Sequence, residues 1–356
     1  MSLLPSKLRF HLGLYAAFSG LRRGKFSEIS TAAIEPDEIA PKKLKVFFWT
    51  PVLTPGANVI VHDMLPCLTR LARATAPGWE IRAGAELPPD EVDWLVCFKA
   101  VPPPEKIRGK PRLALLICDQ AELFWDSLRG FDEIVATSSR AFAGLLGLKH
   151  PRVTFIPESE PPEYISFGVG NLCVAPAARG NVLLWHGGHY SQDALNDLRP
   201  ALGSFAERTG AQLHVISGKG EPRAEKWGAM TVNFLPWSKE QLQRSAKEAR
   251  LGLVPARCSV KLSWLKPASR VRCLYALGVP AIGDDRVPDT VDFMAAFNGP
   301  LAGRKRAWLD ALTGLWNDAP TLARLAASGH AAVAGQFSTG RTARQWLRYI
   351  AQNNQS

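Results

Sequence analysis

The fold is decided by residues 181–189, NVLLWHGGH, where an apolar run ends in a glycine-bearing turn. Residues 181–185 predict a buried strand, and Gly187 and Gly188 follow it. Helical spacing then resumes over residues 193–209. Strand, glycine loop and helix in this order are typical of the opening of a βαβ unit, and a series of such units predicts a parallel sheet with helices on both faces.

The same alternation continues to the end of the chain. Further strands are predicted at residues 212–216, 231–235, 251–255 and 279–283, and further helices at 239–249 and 268–277. From residue 301 onward the chain is predicted to be helical, with its last two helices at 318–334 and 341–353. The second half therefore predicts a doubly wound α/β domain.

The first half predicts a second domain of the same kind. Its strands are predicted at residues 44–49, 94–98, 113–118, 133–137 and 153–156, and a helix at 58–74. Fold class is thus α/β, with two Rossmann-like doubly wound domains facing a cleft at the carboxyl ends of both sheets. The predicted divisions are an amphipathic segment and linker (1–43), a first domain (44–165), a linker (166–180), a second domain (181–335) and a terminal helix that crosses back to the first domain (336–356).

Composition agrees with two soluble-type domains and leaves the partner open. The chain has 356 residues, 46% of them hydrophobic, which excludes wholesale disorder. Lys and Arg number 43 against 32 Asp and Glu, so the net charge of +11 suits a polyanion, an anionic membrane surface or a phosphate-bearing ligand. Six scattered cysteines show no zinc-ligand spacing and favour a reducing, cytoplasmic location.

Residues 3–25 interleave leucines and aromatics with basic residues. This pattern fits an amphipathic helix lying on anionic lipid, which would place the protein peripherally on the inner face of the cytoplasmic membrane. It fits equally a helix packed on the protein's own body, or a poorly ordered tail.

An ordered series of motifs in the second half carries a family resemblance. The motifs are VNFLPWS (232–238), LGLVP (251–255), KPASR (266–270), ALGVPAI (276–282) and FNGPL (297–301), followed by Phe337, Ser338 and Trp346. The series resembles the donor-binding half of GT-B fold glycosyltransferases of the group 1 kind, over about residues 181–350. Over residues 44–165 the similarity is architectural only. The resemblance implies a nucleotide-sugar as donor substrate, no permanently bound cofactor and no metal held by the protein.

Donor-binding candidates follow from this resemblance and from phosphate chemistry. Backbone N–H groups after a strand bind phosphate without side chains, so Gly187 and Gly188 are candidates, although a plain tight turn is the alternative. Ser217 and Gly218 form a similar loop with the same alternative.

Basic residues at a predicted helix start are the other donor candidates. Lys266, Ser269 and Arg270 would neutralise a diphosphate together with the helix N-terminus. The alternative is a solvated basic turn. His186 and His189 are three apart, but no third ligand accompanies them, so a metal site is not expected.

Acceptor and catalytic candidates lie in the first half. Gly56, Asn58 and His62 occupy or follow the first strand-to-helix loop, which in this fold faces the cleft. Asp119, after the strand at 113–118, is the first candidate for a catalytic base and Glu122 the second. The alternative, which the residue pattern favours, is that Asp119 caps the helix that follows.

Two departures from the family pattern limit the functional prediction. Many retaining members carry two glutamates eight positions apart, where this chain has Leu265 and Cys273, and an Arg and a Lys where this chain has residues 189–192. The expected function is sugar transfer to a hydroxyl of a glycan or lipid-linked acceptor in bacterial surface polysaccharide synthesis, with retention or inversion left open. A catalytically inert nucleotide- or carbohydrate-binding relative is the alternative. The chain lacks a dinucleotide fingerprint and a basic stripe, which disfavours an oxidoreductase and a nucleic-acid binder.

Overall fold

The computed structural model describes residues 27–29, 43–52, 58–118, 121–218, 220–256, 265–303 and 305–354. The chain divides into two compact units. The first unit comprises Met1–Ser159 and Phe337–Ser356, and the second unit comprises Glu160–Gln336. Residues 3–25, Gly56 and Asp119, all singled out from the sequence, lie outside the described residues.

The first unit contains a seven-stranded parallel sheet in the order β1-β7-β6-β5-β4-β2-β3. Its strands are β1 (Ser27–Glu28), β2 (Leu44–Trp49), β3 (Trp79–Gly84), β4 (Trp94–Phe98), β5 (Arg112–Ile117), β6 (Glu133–Ala136) and β7 (Val153–Phe155). All five residues of β4 are buried, because a central parallel strand is covered by helices on both faces.

The second unit contains another seven-stranded sheet, in the order β10-β11-β9-β8-β12-β13-β14. Its strands are β8 (Val182–His186), β9 (Gln212–Ile216), β10 (Arg223–Trp227), β11 (Met230–Leu235), β12 (Ala249–Val254), β13 (Ala281–Asp284) and β14 (Leu301–Ala302). Only β10, which forms a hairpin with β11, is antiparallel. The chain builds outward from β8 in one direction and then returns to its other side at β12, which creates a topological switch point between these two strands.

Twelve α-helices lie in the described residues. They are α1 (Leu65–Thr75), α2 (Ala121–Phe124), α3 (Arg140–Leu146), α4 (Pro162–Asn171), α5 (Asp193–Asn196), α6 (Arg199–Thr209), α7 (Lys239–Glu248), α8 (Ser269–Ala276), α9 (Pro288–Ala295), α10 (Lys305–Trp316), α11 (Ala319–Gln336) and α12 (Thr339–Asn353). None of the helices in this part of the chain is long and apolar enough to cross a membrane.

Helix α12 belongs to the core of the first unit although it is the last helix of the chain. The rings of Trp346 and Phe48 are 5.2 Å apart, and those of Tyr349 and Trp94 are 5.7 Å apart, both edge to face. The aromatic side chains of α12 therefore complete the packing of the first sheet.

The α/β class and the doubly wound sheets are confirmed, and several elements differ from the sequence-based expectations. The helix expected at 58–74 starts as a π turn (Asn58–His62) and becomes α-helical only at Leu65, with Pro66 in its first turn. Strands β1, β3 and β10 and helix α9 were not predicted, and β14 replaces the start of an expected helix.

The stretch expected to be a linker at 166–180 instead begins inside a helix of the second unit, α4. Its glycines suggested a loop, but Gly168 serves close packing. A Cβ at this position would lie 2.0 Å from the carbonyl oxygen of Ala276. Glycine is therefore required here by the approach of α4 to α8, not by a turn.

Candidate functional site

The carboxyl ends of β8 and β12 form the candidate site, because ligands of open α/β sheets bind at the switch point. Gly187 follows β8, Pro255 follows β12, and α8 begins nearby at Ser269. A parallel sheet brings these strand ends to the same edge. The second residue of α8, Arg270, fills the space between them.

Arg270 contacts β8 and the residue that follows β12. Its guanidinium carbon lies 5.9 Å from the centre of the Trp185 ring, and its Nη2 donates a long, 3.5 Å hydrogen bond to the carbonyl of Pro255. Its Nη1 is buried and makes no hydrogen bond to any residue that the structure describes. Burial lowers the pKa of Arg270 to about 10, so the side chain is still charged at neutral pH.

A buried cationic donor of this kind is expensive to leave unsatisfied. An anion at the switch point would satisfy it, and backbone N–H groups at the start of α8 would add to the attraction.

His186, the last residue of β8, fixes the backbone of Arg270. Its Nε2 lies 3.0 Å from the carbonyl oxygen of Arg270. A carbonyl only accepts, so Nε2 carries the ring proton. Burial lowers the pKa of His186 to about 4, and the imidazole is therefore neutral at physiological pH.

Gly187 lies against the Arg270 side chain, where a larger residue would fit tightly. A Cβ on Gly187 would lie 3.1 Å from the Trp185 ring and 3.2 Å from Cδ of Arg270. A Cβ on Gly188 would meet nothing within 4 Å. The two glycines thus differ: the first leaves room for the arginine, and the second is an exposed position with open space.

Two carboxylates hold the ends of the connection between β12 and α8. Asp284 accepts a 2.7 Å hydrogen bond from the backbone of Ala256 and a 2.6 Å bond from Nη2 of Arg286. Asp289 accepts a 2.7 Å bond from the backbone of Ala268. Both chain ends that flank residues 257–264, which lie outside the described residues, are therefore fixed from β13 and α9.

The loop after β9 lies at the same edge, one strand from β8. Gly218 has φ +62°, which favours glycine, and its carbonyl accepts a 2.9 Å hydrogen bond from the backbone of Trp237. The Oγ of Ser217 is buried and has no hydrogen-bond partner in the described part of the chain. Trp237 is 43% exposed.

Comparison with protein-family models finds no match to the sequence, and comparison with curated proteins finds none either. Solved structures do match. HepE from Anabaena, in complex with UDP and glucose, is 13% identical with a TM-score of 0.59, over 87% of this chain and 100% of its own. Sucrose-phosphate synthase from Thermosynechococcus elongatus is 13% identical with a TM-score of 0.62, over 88% of this chain and 99% of its own. A glycosyltransferase from Rickettsia africae is 11% identical with a TM-score of 0.60, over 87% and 98%.

The chain has the GT-B fold. At such low identity the likeness establishes the fold alone. In this GT-B chain, the site at β8, β12 and α8 belongs entirely to the second unit.

The donor candidates predicted from the sequence have different surroundings in the GT-B fold. Gly187 and Arg270 are brought into contact, and Ser217 and Gly218 lie one strand away. Ser269 is half-buried at the start of α8. Lys266 is exposed.

The positions at which the family resemblance expects glutamates are buried. Leu265 is 6% exposed and Cys273 is 7% exposed. Burial raises the pKa of the Cys273 thiol well above its usual value, so it stays neutral. Neither side chain supplies the charge that a glutamate would.

The first unit of the GT-B fold contains the remaining candidates. His62 is half-buried, with its Nε2 3.3 Å from Oγ1 of Thr50, and Glu122 is half-buried in the first turn of α2. Asn58 lies in the π turn, and its side chain is outside the described part. Within that part, no group of three His, Cys, Asp or Glu side chains is arranged to hold a metal ion.

Trp185, His186, Asp284 and Asp289 were not identified as site residues from the sequence. For His186 the available signal was its place at a strand end before a glycine pair. Its partner is 84 positions away, which no local pattern indicates.

Proposed function

We propose that the protein is a glycosyltransferase that moves a sugar from a nucleotide-sugar donor to a hydroxyl of a glycan or lipid-linked acceptor. The observation that carries this proposal is the half-buried, charged Arg270 at the switch point of the second sheet, whose buried Nη1 no described residue satisfies. The structures of HepE with UDP and with UDP-glucose support a nucleotide-sugar as the ligand for this fold.

The diphosphate of the donor is the group that Arg270 suits best. A guanidinium offers several N–H donors in a fixed plane, and it forms stronger hydrogen bonds with phosphate oxygens than a neutral donor does. Negative charge grows on the nucleoside diphosphate as the glycosidic bond breaks. Arg270 and the N-terminal amides of α8 would then stabilise the leaving group. We place the backbone of Gly187 and Gly188, with Ser217, Gly218, Lys266 and Ser269, around the same donor.

The acceptor side is proposed for the first unit. An acceptor hydroxyl must lose its proton as it attacks the anomeric carbon, and a carboxylate is a suitable base. Asp119 is our first candidate for this role and Glu122 the second, with Gly56, Asn58 and His62 near the acceptor. Peripheral attachment to the membrane through residues 3–25, and a role in bacterial surface polysaccharide synthesis, belong to the same proposal.

An inert nucleotide-binding relative is the second candidate function. It is favoured by the buried Leu265 and Cys273, which leave the usual pair of glutamates without a counterpart. Such a protein would bind a nucleoside diphosphate at Arg270 and turn nothing over.

The test begins with binding. Thermal unfolding and calorimetry are measured with UDP, GDP, ADP and their common glucose conjugates, on the wild type, Arg270→Ala and the control Arg208→Ala. Arg208 is exposed at the end of α6, in the same unit. We expect one nucleoside diphosphate to raise the melting temperature, and Arg270→Ala to weaken its binding about 10- to 100-fold, because a charged hydrogen bond is lost.

Equal binding to the wild type and Arg270→Ala would contradict the proposed donor site. With the preferred donor and a lysate-derived lipid or glycan fraction, release of nucleoside diphosphate then separates the two functions. Release dependent on the acceptor fraction supports the transferase, and binding without release supports the inert relative.

A further inference from the structure

Three consecutive residues at the end of β8 surround one arginine. The ring of Trp185 lies beside the guanidinium of Arg270, the ring of His186 binds its carbonyl, and Gly187 makes room for its Cδ. We call Trp185, His186 and Gly187 the Arg270 cradle. Side chain and backbone of the arginine are thus held from a single strand.

We infer that His186 is a positioning residue, which sets the place of Arg270 for binding of the donor diphosphate through a hydrogen bond from Nε2 to the Arg270 carbonyl. This inference rests on the proposed function of the site. His186 acts through the arginine and is not assigned a contact with the donor.

The hydrogen bond from His186 joins the end of β8 to the backbone of α8. Within the cradle, it is the contact that reaches the Arg270 backbone. Arg270 is the second residue of α8, so its carbonyl lies in the first turn of the helix. A carbonyl oxygen has two lone pairs and can accept from the imidazole while it also serves the helix. The 3.0 Å bond therefore sets the distance of this first turn from the end of β8.

The direct contacts of the Arg270 side chain are long. The bond from Nη2 to Pro255 is 3.5 Å long, and the guanidinium lies 5.9 Å from the Trp185 ring centre, near the limit for a cation–π contact. His186 makes the shortest polar contact in the cradle. If this bond is lost, the first turn of α8 and the guanidinium should shift together.

The neutral state of His186 is part of its role. His186 is 8% exposed, and burial lowers its pKa so that the ring stays uncharged. It can therefore hold the carbonyl without adding a second positive charge beside Arg270. Asp284 attracts Arg270 electrostatically, and it also binds Arg286 and the backbone of Ala256.

A merely structural histidine in the core would also destabilise the protein when replaced, so the test needs a rescue variant. In His186→Leu the N–H donor is lost, whereas the amide nitrogen of His186→Gln reaches the position of Nε2. The affinity for UDP, or for whichever nucleoside diphosphate the wild type prefers, is measured by calorimetry on the wild type, both variants, Arg270→Ala and the double variant His186→Leu/Arg270→Ala.

We expect His186→Leu to bind about tenfold more weakly, from loss of one buried hydrogen bond, and His186→Gln to recover most of the loss. The double variant should bind no more weakly than Arg270→Ala, because His186 works only through the arginine. Wild-type affinity in His186→Leu, or a full additional loss in the double variant, would overturn the inference.

Crystal structures of His186→Leu and His186→Gln give a readout that needs no ligand. We expect the guanidinium to leave Trp185 in the first variant and to keep its place in the second. An unmoved Arg270 in His186→Leu refutes the positioning role whatever the protein binds. A displaced Arg270 in a protein that binds no nucleoside diphosphate would retain the positioning role and refute the proposed function instead.

Discussion

Each unit contains its own seven-stranded sheet, and the two sheets differ in the residues at the carboxyl end of the strand beside the switch point. In the first unit β2 ends with Trp49, which Thr50 follows, and in the second unit β8 ends with Trp185 and His186. The indole N–H of Trp49 donates a 3.0 Å hydrogen bond to the carbonyl of Ala85. That of Trp185 has no partner among the described residues.

The polar residue after each tryptophan differs in the same way. Thr50 is bonded to His62 and to the carbonyl of Gly84. His186 binds the backbone of a half-buried arginine, Arg270, whose buried Nη1 has no partner among the described residues. Both sheets therefore offer a similar strand end. The end of β8 lies beside a cation, Arg270 of α8, and this cation makes it suitable for binding an anion. Four measurements can break or sharpen this contrast.

Removal of the buried charge of Arg179 should give the largest change in the free energy of unfolding. The first unit neutralises buried Glu133 with Arg112 at 2.6 Å, whereas Arg179 in the second unit bonds only to backbone carbonyls of the described residues. Two of these carbonyls belong to Asn171, at the end of α4, and Gly278, just after α8. We expect Arg179→Ala to lower the free energy of unfolding by about 3–4 kcal/mol, because several carbonyls are left unsatisfied.

Urea unfolding with hydrogen exchange would locate this loss. The amides of β8 and β12 should lose protection, while those of β2 and β4 keep it, and the exposed Arg208→Ala should cost less than about 1 kcal/mol. Equal loss in both sheets would mean that the units do not differ in this way.

Buried His186 of the second unit should make the free energy of unfolding depend on pH. The folded pKa of His186 is about 4, below its ordinary value, so the unfolded chain takes up a proton first as the pH falls. Its contribution to the free energy of unfolding is therefore present above pH 6.5 and decreases between pH 6.5 and 4, by about 3 kcal/mol in all.

Urea unfolding of the wild type and His186→Gln at pH 7 and pH 4.5 measures this contribution as a difference of differences. The wild type should lose more stability than the variant between the two pH values. Parallel losses would show that His186 is not buried and neutral in the folded protein.

The two glycines after β8 allow a matched comparison within the site. In Gly187→Ala the new Cβ crowds Arg270 and Trp185, which must shift slightly, and we expect about tenfold weaker binding of the nucleoside diphosphate. Gly188→Ala has open space and should bind within about twofold of the wild type. Calorimetry measures the affinity of the two variants for the nucleoside diphosphate. Equal affinities would mean that Arg270 does not bind this ligand.

The smallest effect is expected in the first unit. His62→Ala removes a 3.3 Å contact with Thr50 and should leave the affinity for the nucleoside diphosphate unchanged within about twofold, because the proposed donor site belongs to the second unit. The rate of sugar transfer should fall if His62 lies near the acceptor. A large loss of nucleotide affinity in His62→Ala would contradict the proposal that the nucleotide binds in the second unit and not in the first.

The sequence predicted those strands that are continuous apolar runs, such as β4 and β8, because burial on both faces leaves a strong signal. It missed β3 and β10, where exposed charged residues alternate with buried ones or line a sheet edge. Gly168 was misleading, since a glycine needed for helix packing looks the same in a sequence as one needed for a turn.

The site was partly predictable for a similar reason. A basic residue at a helix start after a buried strand indicated Arg270, and a glycine pair indicated Gly187. The hydrogen bond from His186 joins positions 84 apart and depends on β8 and β12 being neighbours, which is known only once the strand order is known. The catalytic roles of Asp119 and Glu122 stay predictions.

The position of helix α12 at the end of the chain affects how the protein folds during its synthesis on the ribosome. The second unit is one continuous stretch, Glu160–Gln336, whereas the first unit needs Trp346 and Tyr349 to cover Phe48 and Trp94. During synthesis, the second unit can therefore fold while the earlier-made first unit still exposes aromatic surface. We expect the nascent first unit to depend on chaperones until translation reaches α12.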